Sequence, residues 1–167
     1  MIALPILLAG CGAAAPAGTV APAGYDFPAL SGRVVDAAGL LREGDRAAIA
    51  GRLAMLEQAT GHQFVVVSVT SLGGHTIEDY GVTLGRTWKI GRKDINDGVM
   101  LIVAPRERKV RIEVGHGLEK ALRDEEARAI IDSAILPAFR AGDYPRGIRA
   151  GVDGVIREIG SAERLAA

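Results

Sequence analysis

Cysteine occurs once in these 167 residues, at Cys11, so no intramolecular disulfide can brace the fold and that thiol needs a reason of its own. Aromatic residues make up only 4%, which leaves Ala, Val, Ile and Leu to fill any core. Net charge is absent too. Twenty basic residues balance twenty acidic ones, so no long-range field steers the protein onto nucleic acid or an anionic membrane. His62, His75 and His116 are scattered, show no HExxH spacing and have no paired thiols beside them, which argues against zinc. A G-x-S-x-G elbow and a P-loop are missing. The Gly115-His116-Gly117 segment lacks the third glycine of a dinucleotide fingerprint, so neither an α/β-hydrolase, a P-loop NTPase nor a nucleotide cofactor is expected. What remains is 49% hydrophobic and 24% charged, the composition of a globule long enough for one domain plus a tail.

Met1 to Cys11 is a short apolar run that ends in small residues, the layout of a secretory h-region and cleavage site, although a basic n-region is missing. Leu8-Ala9-Gly10-Cys11 is similar to a lipobox, which implies cleavage before Cys11 and a lipid on its thiol. The expected division is a signal peptide over 1–10, a flexible Ala/Gly/Pro-rich tether over 11–26, a folded domain over 27–160 and a polar tail over 161–167. The tail is too short and polar to cross a membrane, so the lipid is the expected membrane contact. The expected location is therefore the cell envelope, on the exported side.

Ile49, Leu53 and Leu56 recur at helical spacing between Glu43 and Thr60, and Gly61 stops that helix. Phe64 to Val69 is a continuous β-branched run, the pattern of a strand covered on both faces. Thr76 caps a second helix through Trp88. Gly98–Ala104 and Lys109–Gly115 predict two strands joined by four residues, hence an antiparallel hairpin. The second of them alternates Val110, Ile112 and Val114 with Arg111 and Glu113, as a strand near an edge does. Asp124 is placed as N-cap of a helix ending at Pro137, and a last helix follows Pro145. The order β, α, β, α, β, β, α, α predicts a three-layer α/β/α sandwich on a mixed, mostly parallel sheet with one antiparallel hairpin.

Lys93-Asp94-Ile95-Asn96-Asp97-Gly98 puts two acids and an amide just before a central strand, oxygen-rich spacing of the kind a hard divalent cation favours, though without the EF-hand pattern. Asp97-Gly98 is equally turn chemistry, and Asp36 equally a capping residue. In Gly115-His116-Gly117-Leu118-Glu119 the glycines allow close backbone approach and Glu119 offers another oxygen; a tight turn explains the same residues.

Several strings then line up with one family. Gly32-Arg-Val-Val-Asp36, Leu40-Leu41, Thr60-Gly61, Asp97-Gly98-Val-Met-Leu-Ile-Val103, Arg111-Ile-Glu-Val-Gly-His-Gly-Leu-Glu119 and Pro137-Ala-Phe139 run in the order of the TPM domain, which the chain resembles over about residues 30 to 159. The most specific piece is R-I-E-V-G-x-G-L-E followed by L-x-D at Leu122 to Asp124. Members of that family include a thylakoid-lumen protein of photosystem II repair, a receptor-associated animal protein and many bacterial envelope proteins. The resemblance implies an α/β/α fold and Ca²⁺ or Mg²⁺ held in an acidic cleft, with acid phosphatase activity in the plant branch. Position by position it offers Asp36, Asp97, Glu119 and Asp124 as cation ligands, while Asp94 is added on local spacing alone. The expected function is a divalent-cation-binding module that docks envelope or membrane-protein partners, the alternative being a metal-dependent acid phosphatase with Asp36 or Asp97 as ligand or base.

Overall fold

A computed structural model describes residues 21–166. Cys11, the expected signal peptide over 1–10 and most of the expected tether over 11–26 fall outside the described residues. The apolar runs become two central strands, β2 (Phe64–Ser68) and β3 (Val99–Ala104), in which every residue is buried. Flanked by β1 (Val34–Asp36) and β4 (Lys109–Val114), they make a four-stranded sheet in the order β1-β2-β3-β4. The first three strands are parallel, with Val66 opposite Val34 and Leu101; β3 and β4 are antiparallel, with Leu101 opposite Ile112.

Alternation along the strands divides the core in two. Phe64, Val66, Val99, Leu101 and Ile112 face α1 (Glu43–Thr60), α3 (Asp124–Ile130) and α5 (Tyr144–Ala166). Val65, Val67, Met100 and Ile102 face α2 (Ile77–Trp88), whose Tyr80, Leu84 and Trp88 cover them. The three-layer α/β/α sandwich is therefore present, with the helices unequally divided. Strands β1, β2 and β3 advance one way across the sheet while α1 and α2 lie on opposite faces, so one of the two β-α-β crossovers is left-handed, a rare arrangement. The long connection Val69–Thr76 carries α2 over β3 and β4, where it packs most extensively on β4.

Most element ends follow their residues. Thr76 accepts a hydrogen bond from the Asp79 N–H, and Gly61, at φ 77°, closes α1 by donating to the Glu57 carbonyl at 2.7 Å. Two expectations need correction. Asp124 is the first residue of α3 rather than its cap: the cap position is Arg123, whose N–H donates to Glu126 at 3.0 Å. Nor does Pro137 stop the helix. A π turn at Ile131–Ile135 leads into α4 (Leu136–Arg140), with Pro137 in its first turn, where a missing N–H matters least. Both ends of the described residues are tied to the domain. Tyr25 stacks on His75 with ring centroids 4.0 Å apart, and α5 continues to Ala166, carrying Glu163 onto His62.

Candidate functional site

Asp97 is fully buried, and its carboxylate is shared among groups of its own chain. Oδ1 accepts the Arg92 N–H at 2.8 Å; Oδ2 accepts from Arg92 Nε and His62 Nδ1, both at 2.7 Å, and lies 2.5 Å from Arg92 Nη2. Burial alone would push this carboxyl up, but the Arg92 guanidinium and N–H together with the His62 ring outweigh it and hold the group well below the usual carboxylate range. The far nitrogen of His62 meets Glu163 at 3.0 Å. The result is a clamp that closes the loop Arg92–Asn96, where Asp94 and Asn96 both take left-handed backbone conformations at φ 72° and 53°.

The two glycines of Gly115-His116-Gly117 are needed on the other side of this loop. The Gly115 N–H donates to the Gly98 carbonyl at 2.8 Å and the Gly117 N–H to the Asn96 carbonyl at 3.0 Å. A β-carbon on Gly115 would stand 2.1 Å from the Asn96 carbonyl oxygen, and one on Gly117 2.4 Å from that of Ile95. These glycines admit the neighbouring backbone, so the D-G and G-x-G strings, 17 or more residues apart, are two halves of one packed joint.

Asp36 is also engaged. Its Oδ1 accepts the Leu40 N–H at 3.0 Å and the Ser68 hydroxyl, and its Oδ2 accepts the Leu41 N–H at 2.8 Å, which fastens the turn leaving β1 to the end of β2. Asp94, Glu119 and Asp124 behave differently. All three are exposed and line one groove of about 1110 Å³ along the free edge of β4, and Glu119 Oε1 lies 2.5 Å from His116 Nδ1.

The five acids thus separate into two internal fasteners and three groove residues, and no three His, Cys, Asp or Glu side chains gather as a metal-binding group among the described residues. As one ligand set for Ca²⁺ or Mg²⁺ they do not fit, because hard cations need several convergent oxygens and those of Asp36 and Asp97 already accept from N–H or O–H donors.

The groove has α2 as one wall, α3 as the other and β4 as its floor. Gly81 and Gly85 let α2 sit close on the sheet, where β-carbons would meet Ile102 Cδ1 at 2.8 Å and Met100 Cε at 2.9 Å. Arg111 pairs with Glu113 at 2.5 Å and lies 4.0 Å from Glu78. Arg86, Lys89, Lys93 and Arg128 also line the groove and have no ion-pair partner among the described residues, whereas Asp94 and Asp124 are its only carboxylates in that condition. Sequence alone does not point to these basic residues, since they are spread over α2, its C-terminal end, a loop and α3 and only the fold assembles them. The alternation of β4 was the one sequence sign that an edge would be open there.

A mixed sheet between unequal helical layers, with a groove at its antiparallel edge, defines the structural class. The family follows from the chain itself: a model described as the TPM domain matches residues 34–158, and the chain belongs to that family. Among solved structures it is similar to the N-terminal domain of a protein from P. gingivalis, with 34% identity, 77% of this chain and 82% of that one covered, and a TM-score of 0.73. It shares its fold with the N-terminal domain of the cg2496 protein from Corynebacterium glutamicum, at 18% identity, 79% and 80% coverage and a TM-score of 0.59. The BA42 protein from Bizionia argentinensis shares it too, at 17% identity, 72% and 82% coverage and a TM-score of 0.62. No curated protein matches the chain.

Proposed function

We propose that this chain is an exported cell-envelope lipoprotein, anchored through a lipid on Cys11, whose TPM domain is a binding module for envelope or membrane proteins with the β4 groove as its docking site. One observation carries the preference for a module over an enzyme. Asp36 and Asp97, the acids the phosphatase alternative uses as ligand or base, accept hydrogen bonds from donors of their own chain, while the open groove is lined by cations without partners and by unpaired strand edge. A photo-crosslinking residue at Arg86, on the groove wall, tests this in cells that produce the full chain, with Gln58 on the exposed side of α1 as control. Discrete crosslinked products from position 86 alone are expected; equal crosslinking from both positions sinks the reading.

A metal-dependent acid phosphatase is the second reading. It is favoured by the word phosphatase in the family model's name and by the same unpaired cations, which suit a phosphate group. Turnover of a phosphomonoester with and without Ca²⁺ or Mg²⁺ separates the two. The module reading expects no metal-dependent turnover, and turnover abolished by Arg86→Glu or Lys89→Glu would establish the enzyme instead.

A further inference from the structure

The hydrogen-bond register leaves half of the β4 backbone facing the groove. Gly115 N–H donates to the Gly98 carbonyl, and bonded partners alternate along an antiparallel pair. With Glu113 opposite Met100, Arg111 opposite Ile102 and Lys109 opposite Ala104, the N–H and C=O groups of these three turn toward β3. Those of Val110, Ile112 and Val114 turn outward. All three residues line the groove, and their backbone groups have no hydrogen-bond partner among the described residues. Such an edge is a template for pairing with another chain unless something covers it.

We infer that β4 receives a fifth strand from a partner polypeptide, an extended segment in which acidic and aliphatic residues alternate. This rests on the groove being the docking site. The floor is six residues long, roughly 20 Å at the usual rise per residue, which suits a segment of similar length. Side chains of an added strand alternate between two walls with different chemistry. On the α2 side Arg111 is already paired with Glu113 and Glu78, while Arg86 and Lys89 stand without ion-pair partners, so the charge left over on that side is positive and it takes carboxylates. On the other side Val110, Ile112 and Val114 belong to the layer of α3, and Ala127 of α3 and Ile131 of the π turn that follows it also line the groove, so that side takes aliphatic residues. A second copy of β4 fits less well: the face it would present, Lys109, Arg111 and Glu113, carries a net positive charge against the same free cations.

The test uses the full chain, ¹⁵N-labelled, and a capped heptapeptide Val-Glu-Val-Glu-Val-Glu-Val, with a Lys-for-Glu version and a backbone N-methylated version as probes. On saturation with the Glu peptide, amide exchange at Val110, Ile112 and Val114 is expected to slow by at least about tenfold, while Lys109, Arg111 and Glu113, already bonded to β3, change little. The N-methylated peptide should not bind. Arg86→Glu combined with Lys89→Glu should weaken the Glu peptide by about tenfold or more and favour the Lys peptide. If signals along the groove shift while the three edge amides stay unprotected, or if the N-methylated peptide binds equally well, strand addition is overturned and the groove stands as a docking site. No perturbation anywhere in the groove overturns both. Edge protection that rises with protein concentration in the absence of peptide makes the occupant a second copy and overturns the acidic partner.

Discussion

Asp97 and His62, 35 residues apart, are joined by a 2.7 Å hydrogen bond on which Arg92 also converges, so the start of β2, the start of β3 and, through Glu163, the end of α5 meet at one buried carboxylate. A charge in that position is stabilised only while its partners stay in place. Asp97→Asn keeps the shape and removes the charge. Its expected effect is a loss of about 3 kcal/mol, near the lower end for broken buried pairs because the Arg92 side chain is half exposed and can turn to water. A lower urea midpoint with Ca²⁺ and Mg²⁺ titrations unchanged between wild type and variant would place Asp97 in the scaffold; metal binding lost without loss of stability would return it to a cation site.

The same carboxylate sets a pH dependence. Its folded pKa lies below the unfolded one, so its contribution is fully present above the ordinary carboxylate range and is lost as pH falls through the folded value. The stability difference between wild type and Asp97→Asn should therefore hold constant on descending from neutral pH to about 5 and shrink only below about 4, the unfolded value. Urea midpoints across that series check it, and a difference that vanished near neutrality would show the clamp depends on another group.

Much of this architecture was legible beforehand. The apolar runs at 64–69 and 98–104 read as strands from their length and bounding turn residues, and the alternation at 109–115 from its period of two. Pro137 misled for a physical reason: a proline ends a helix by clashing with the preceding turn, and whether a π turn relieves that clash depends on how neighbouring helices pack. At the site, the acids were visible as residue types, but what distinguishes Asp97 from Asp94 is contact with His62 and burial beneath the loop, properties of the fold rather than of local spacing. The groove was hidden for the same reason. Arg86 and Arg128 come together only because α2 and α3 flank one strand from opposite faces of the sheet.

Gly115→Ala makes the joint between the two motifs measurable. The new methyl would meet the Asn96 carbonyl oxygen at 2.1 Å, a backbone atom whose loop is held by the Asp97 clamp and cannot move freely. A loss of about 3 kcal/mol or more is expected, at the upper end for overpacking, with Gly117→Ala similar. Gly142→Ala is a control, since its β-carbon meets nothing within 4 Å and only the positive φ of 78° costs, roughly 1 kcal/mol. Equal destabilisation of all three would refute the close-approach role.

Tyr80 supplies an alkaline counterpart. It is 1% exposed, its hydroxyl donates to the Asp26 carbonyl at 2.9 Å, and burial, reinforced by the Asp26 and Glu107 charges, pushes the phenol up to about 12. With the folded pKa above the unfolded value of about 10, the neutral phenol's contribution is fully present below pH 10 and is lost as pH rises toward 12. At most about 2 kcal/mol should disappear across that window. Tyr80→Phe removes the hydroxyl that docks the N-terminal segment on α2, so the variant should be less stable at neutral pH and should show a flatter fall above pH 10. Urea midpoints for both proteins between pH 9 and 12, with phenolate absorbance followed alongside, decide it. Parallel curves would mean that the alkaline loss comes from elsewhere and that the Tyr80 hydroxyl is not what ties residues 25–27 to the domain.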